Sequence, residues 1–275
     1  KNTTVSINDG HGYLNLTEFL GNLMPGNWSV GVIYVEDPYF KYALNQTSFE
    51  VYYLNTTINA TPTNIKFGEN EIINVTVNEN ATGFIVIIID NQNYVLRIRN
   101  GTAQFNITGL GVGTYENITV LYYPNNYFNP VSTNITFTVG QTDKYNITVY
   151  AENIRYGENA TVTVILPDGA TGNVSIYIDG EFKGNATINS EGVAVLNNIE
   201  GLVGGEHEVN VTYDGCVLYS AKDKNGTKFN VTSTDKYKII IKVDEDVYGQ
   251  NTTFNVTLPE NAGDKITLTI DNVTY

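Results

Sequence analysis

The sequence predicts an all-β chain of tandem β-sandwich domains arranged in an elongated array. Three observations carry this expectation. Short runs rich in Val, Ile, Tyr, Phe and Thr alternate with polar residues, turn residues break them up, and one set of landmarks recurs with a period of about 90 residues. Of the 275 residues, 41 % are hydrophobic, enough to bury a core. Only 16 % are charged, and 37 Asn and 33 Thr fill the gap. The net charge of −14 repels phosphate backbones and excludes nucleic-acid binding. No stretch approaches the ~18 consecutive apolar residues of a membrane span, and Lys1 to Ser6 shows no apolar signal region.

The first landmark is an aromatic, Gly, Glu or Gln, then Asn. It reads Phe67-Gly68-Glu69-Asn70, Tyr156-Gly157-Glu158-Asn159 and Tyr248-Gly249-Gln250-Asn251, so the glycines lie 89 and 92 residues apart. The second is an alternating apolar run ending in Asp90, Asp179 and Asp271, at the same two spacings. The third is a Gly shortly before a ring: Gly26-Asn27-Trp28, Gly113-Thr114-Tyr115 and Gly205-Glu206-His207. A closing strand follows at Phe49-Glu50-Val51, Phe137-Thr138-Val139 and Phe229-Asn230-Val231. Four landmarks in one order define a repeat.

Within each unit the pattern is that of strands, as in Thr161 to Leu166 or Asn210 to Tyr213. Pro167-Asp168-Gly169 reads as a turn, and Asp179-Gly180 as the two-residue turn of a hairpin. The one helical hint, Leu16 to Leu23, is cut short by Gly21 and Pro25 and predicts a single turn. About seven short strands in ~90 residues match a sandwich with one face of each sheet packed and the other wet.

Residues Tyr156 to Val164, Gly172 to Asp179 and Leu202 to Gly215 carry a family resemblance. The pattern resembles the tandem bacterial-type immunoglobulin-like domains of large adhesin-like surface proteins, especially those of methanogenic archaea. The resemblance implies an Ig-like sandwich and a surface location, and says little about a ligand. The chain departs from the family pattern at His207, where the family has Tyr, and at Cys216.

The landmarks divide the chain into the C-terminal half of a repeat (1–58), two whole repeats (59–140 and 141–233) and the N-terminal half of another (234–275). Such halves arise in an arbitrary window of a longer array. They also arise in a subunit whose halves complete one another head to tail, a heterologous contact that builds a fibre when its rotation does not close.

Asn-x-Ser/Thr, the acceptor of N-glycans in exported proteins, occurs about 22 times against a random expectation of about five or six. Strand alternation explains part of the excess, because residues two apart share a face, as in Asn210-Val211-Thr212. It explains less well the copies read as lying beside turns, at Asn45, Asn80, Asn100, Asn185 and Asn225, which are the glycosylation candidates.

Candidates for other chemistry are few. Cys216 is the only cysteine, so no intrachain disulfide forms. His11 and His207 lack zinc-ligand spacing, and His207 takes the place of Trp28 and Tyr115, which predicts a packed ring. Gly109 to Gly113 lacks the Lys-Ser/Thr ending of a phosphate loop and reads as a turn before a strand. Asp37 and Asp244-Glu245-Asp246 match no calcium-loop spacing and read as solvated acidic turns. Lys144 and Lys236 recur at one repeat position, as any linker residue would. Aromatic clusters at Tyr34/Tyr39/Phe40/Tyr42, Tyr52/Tyr53 and Tyr122/Tyr123/Tyr127/Phe128 suit either sugar stacking or half-buried strands. Their shared place in the repeat favours packing.

These readings predict no catalytic residue, no cofactor and no metal site. The function expected is a non-enzymatic, extracellular adhesin-like stalk or fibre that meets other cell-surface proteins or glycans. A self-assembling filament subunit and an array of carbohydrate-binding modules are the alternatives.

Overall fold

The computed structural model describes residues 1–270 and the backbone of Val273 and Thr274. Asp271, the end of the third apolar run in the sequence, lies outside the described residues. Two compact units divide the chain: residues 1–142 with Val217–Tyr219, and residues 143–216 with 220–275.

The first unit opens with a five-residue helix, α1 (Leu16–Leu20), capped by the Asn15 side chain, which accepts from the Thr17 and Glu18 amides. A hairpin follows, β1 (Gly26–Tyr34) and β2 (Ala43–Val51), with Trp28 opposite Phe49. No residue of the helix or of the hairpin is buried.

Then comes a sandwich of eight strands. They are β3 (Ile58–Thr61), β4 (Ile65–Lys66), β5 (Glu71–Val77), β6 (Gly83–Ile89), β7 (Gln92–Arg97), β8 (Thr102–Ile107), β9 (Gly113–Pro124) and β10 (Val131–Gly140). One sheet has the order β3-β5-β8, the other β4-β10-β9-β6-β7. All pairings are antiparallel except β4 with β10, where Ile65 lies beside Val139. Alternate residues of both inner faces form the core, including Ile73, Val75 and Phe105 from one sheet and Ile85, Ile87 and Val120 from the other.

The second unit repeats this order with β11 (Thr148–Ala151), β12 (Ile154–Arg155), β13 (Ala160–Ile165), β14 (Asn173–Ile178), β15 (Glu181–Thr187), β16 (Val193–Ile199), β17 (Gly205–Tyr213) and β18 (Lys222–Thr232). Its sheets are β11-β13-β16 and β12-β18-β17-β14-β15, again with one parallel pairing, Ile154 beside Val231. Asp179 and Gly180, at φ 52° and 80°, make the tight turn between β14 and β15 that the sequence predicts.

In each sandwich an A-B-E sheet faces an A′-G-F-C-C′ sheet. This is immunoglobulin-like topology, so the all-β, tandem Ig-like fold is the one the sequence predicts.

The chain ends in β19 (Ile240–Val243) paired with β20 (Phe254–Thr257), and β21 (Thr269–Ile270) paired with β22 (Val273–Thr274). Fully burying a Val or Ile stabilises a fold by about 1.5–3 kcal/mol. No residue of the hairpin β1–β2 or of the strands β19–β21 is buried, though Trp28, Phe49 and Phe254 are half-buried. Val32 is 64 % exposed, while Val120 and Val211, at the same place in β9 and β17, are at 0 %.

Candidate functional site

No catalytic constellation organises the described residues, so the informative side chains are those the repeat places in register. The third landmark is the clearest. Trp28 donates its indole N–H to the Met24 carbonyl (2.9 Å), and Tyr115 donates its hydroxyl to the Gly111 carbonyl (3.1 Å). His207 Nε2 lies 2.8 Å from the Val203 carbonyl. In all three copies the ring bonds the backbone four residues upstream. This is the tyrosine corner that opens strand F of an Ig-like sandwich. In the two whole sandwiches the ring also stacks on the closing-strand phenylalanine, Tyr115 on Phe137 (5.0 Å between centroids) and His207 on Phe229 (5.4 Å). His207 is therefore the packed ring that its place in the repeat predicts.

His207 differs from its counterparts in charge. Its Nδ1 lies 2.6 Å from Asp179 Oδ2, and its side chain is 4 % exposed. Both ring nitrogens face acceptors, and only the imidazolium can donate from both. Burial opposes that charge, but the Val203 carbonyl and the Asp179 carboxylate together outweigh it and raise the His207 pKa. The Glu208 amide, followed by His207, holds the Asp179 carboxyl below its ordinary value.

All five glycan-acceptor candidates are exposed. Asn80 and Asn100 lie in turns with φ of 63° and 50°, the left-handed conformation that Asn tolerates. The other three sit within strands rather than beside turns: Asn45 in β2, Asn185 in β15 and Asn225 in β18. The physical reason at two of them is a β-bulge. The pairing register shifts beside Gly184-Asn185 and at Asn225-Gly226, with Gly184 at φ 152° and Gly226 at φ 82°. Turn-like dipeptides there mark an extra residue in a continuing strand. The Asn185 side chain accepts from the Ser175 hydroxyl (2.9 Å) across that ladder.

Glu71 is a feature the sequence analysis missed. It opens β5 with 0 % exposure, at the place Ala160 holds in the next sandwich. One carboxylate oxygen accepts from the Thr63 amide at 2.8 Å, while the other, buried, meets no partner. Burial raises its pKa. Only its mismatch with Ala160 could have flagged it.

The remaining candidates disperse. Cys216 is half-buried, with its thiol 4.0 Å from the Gly169 carbonyl. Asp37 accepts from the Tyr39 and Phe40 amides, which closes its turn. Asp244, Glu245 and Asp246 are exposed, and no group of three or more His, Cys, Asp or Glu among the described residues is arranged to hold a metal. The aromatic clusters split. Tyr122 and Phe128 belong to the core, while Tyr39, Phe40 and Tyr52 are exposed by 87, 68 and 76 %. No helix of the described residues is long and apolar enough to cross a membrane.

No family model and no curated protein matches the sequence. Solved structures align with it at low identity. The chain is similar to the Yersinia pseudotuberculosis adhesin InvE at 14 % identity over 80 % of this chain and 73 % of that one, with a TM-score of 0.31. It is similar to three titin Ig domains, I67–I69, at 13 % identity over 80 % and 85 %, with a TM-score of 0.32. Against Escherichia coli alpha-2-macroglobulin activated by porcine elastase the values are 11 %, 74 %, 26 % and 0.27. The chain thus spans about a quarter of alpha-2-macroglobulin, and likewise 25 % of a Bacteroides uniformis beta-glucuronidase. The Ig-like assignment rests on the strand order and the corner hydrogen bonds.

Proposed function

We propose that the chain is part of an extracellular, non-enzymatic adhesin-like stalk, in which repeated Ig-like sandwiches display or make contacts with other cell-surface proteins or glycans. The observation that carries this reading is one sandwich design repeated in tandem, with its Asn-x-Thr triplets on exposed strand faces and turns. The repeat spends its apolar residues on separate cores. The solvent faces are left to Asn, Thr and acidic groups, which suit glycan attachment and keep neighbouring stalks apart.

The test uses the native source. Antibodies raised against the 275-residue chain should label intact cells. In protein purified from those cells, the segment should weigh more than the 30.4 kDa of the sequence, with the added mass on peptides holding Asn45, Asn80, Asn100, Asn185 or Asn225. Labelling that requires permeabilised cells overturns the surface reading, and an unmodified mass overturns the glycan reading.

A further inference from the structure

The first whole sandwich leaves open a sheet edge that the second one blunts. Strand β7 ends the sheet β4-β10-β9-β6-β7, so among the described residues one side of it has no neighbouring strand. Its six residues pair with β6 without a register shift, from Gln92 opposite Ile89 to Arg97 opposite Phe84. Just beyond it, the Ile98 amide donates to the Gly83 carbonyl at 3.0 Å. Backbone direction alternates along a strand, so the even-numbered residues of β7 turn their backbone groups to β6, and Asn93, Val95 and Arg97 turn theirs outward. Such a row is a template for another strand, which proteins blunt with Lys, Pro or a bulge. β7 has none of these. Its counterpart β15 has two, Lys183 and the bulge at Gly184.

The outer face beside the edge differs in the same sense. Leu121, Val86 and Val95 stand opposite one another on β9, β6 and β7. They form an aliphatic row that runs to the edge and ends at Val95, 55 % exposed. In the second sandwich the same row reads Thr212, Ser175 and Asn185. Asn185 is also a glycan-acceptor candidate, and a glycan there would shield the edge.

We propose that β7 docks on β7 of a second copy of this chain, the two strands pairing antiparallel about a two-fold axis at Val95 and joining two five-stranded sheets into one. The side chains choose this register. With Val95 opposite Val95, the aliphatic row continues unbroken from one sheet into the other. The outward backbone groups of Asn93, Val95 and Arg97 then meet those of Arg97, Val95 and Asn93. On the inner side Leu96, 38 % exposed, falls opposite Tyr94, which already packs against the core. The antiparallel sense also carries Arg97 of each copy toward the Asp90 turn of the other, so the two ends of the edge are complementary in charge. Moving the axis to Tyr94 would set Val95 against Asn93 and break the row. The contact is isologous and closes as a dimer.

The experiment uses the whole chain with Cys216→Ser, so that an added thiol is the only one. Val95→Cys should oxidise to a disulfide-linked dimer, because directly paired residues bring Cα atoms to about 5.5 Å. Asn93→Cys should give at least about tenfold less, since the two Asn93 positions lie four residues apart along the paired strands, roughly 13 Å. Asn93→Cys mixed with Val95→Cys should not cross-link better than Val95→Cys alone.

Under reducing conditions, sedimentation equilibrium on the unsubstituted chain should show its mass rising from 30.4 kDa toward the dimer as concentration is raised to about 1 mM. The amides of Asn93, Val95 and Arg97 should gain exchange protection as it does. Val95→Lys should weaken association at least about tenfold and leave thermal unfolding of the dilute chain unchanged, since the residue is exposed in the single chain. A chain that stays monomeric, association that Val95→Lys leaves intact, or cross-links that ignore register overturns the proposal. The inference does not depend on the surface reading, which cell labelling tests separately.

Discussion

Replacing His207 by Tyr should remove a pH dependence from the second sandwich while keeping its corner. Tyr115 shows that a phenol at this place reaches the carbonyl four residues upstream and stacks on the closing phenylalanine. What the substitution deletes is the contact between the His207 ring and the Asp179 carboxylate at 2.6 Å. A hydrogen bond between charged groups contributes about 1.5–3 kcal/mol. The Asp179 side chain is 52 % exposed, and solvent screening reduces the net worth to roughly 1 kcal/mol. For a sandwich of this size that is about 4–8 °C in Tm.

The direction follows from the two pKa shifts. His207 is raised above its ordinary 6.5, so its contribution is complete below about pH 6.5 and fades as pH rises through the raised value. Asp179 is lowered from 3.8, so its contribution is complete above about pH 4 and fades as pH falls through the lowered value. The pair therefore stabilises most between about pH 4 and 6.5. The chain has two histidines, so proton NMR of their ring C–H signals resolves both, and His11→Ala assigns them. Calorimetry at pH 6 and 8.5 on the unsubstituted and His207→Tyr chains gives the stability slope. A His207 pKa at or below 6.5, or an equal slope in the variant, would refute the argument.

Two further substitutions test the cores. Glu71→Gln keeps an acceptor for the Thr63 amide and removes a buried charge. Because the Glu71 pKa is raised, the glutamate form is relatively more stable at low pH and loses stability as pH rises through that value. The variant should therefore gain about 1–3 kcal/mol in denaturant unfolding at pH 7 and little at pH 4, and a loss at pH 7 would contradict the assignment. At Gly83, φ is +134°, and an added methyl would lie 2.1 Å from the Tyr123 carbonyl oxygen. Gly83→Ala should cost at least about 2 kcal/mol by the same measurement, and a change within about 0.5 kcal/mol would show that the backbone there relaxes.

The fold was legible because alternation and repetition reinforce one another. Ile85, Ile87 and Ile89 announce an inward face by period alone, and their reappearance as Val174, Ile176 and Ile178 shows that the pattern is a unit rather than an accident. The corner was half legible. The shared position of Trp28, Tyr115 and His207 was visible, and so was a Leu three residues before each strand-F glycine (Leu23, Leu110, Leu202), but neither announces that the ring bonds the carbonyl of the residue after that Leu. Asn185 and Asn225 misled because Gly-Asn and Asn-Gly have the same backbone freedom in a bulge as in a turn, and only the pairing register separates the two. Glu71 was legible only as a mismatch with Ala160 at the same place in the next repeat. Whether a carboxylate at a strand edge is wet or buried depends on the residues folded over it.

The corner also shows where the repeats are free to differ. Three chemically unlike rings serve at one position because the position demands a flat side chain and one donor aimed at a carbonyl, and indole, phenol and imidazolium all supply that. The inner faces are similarly tolerant within the apolar class, exchanging Ile for Val at Ile85 and Val174 with both at 0 % exposure. Constraints of this kind hold the sandwich without specifying its outer surface. On the strand faces turned to solvent, a residue two places along shares the same side, so Asn and Thr accumulate there as acceptor triplets without disturbing the core. A substituent on Asn185 would project from a ladder whose opposite face is closed by Val174 and Ala186, at 0 and 3 % exposure. Dense decoration and a constant core are thus compatible in this fold, because alternation assigns them to opposite sides of the same strands.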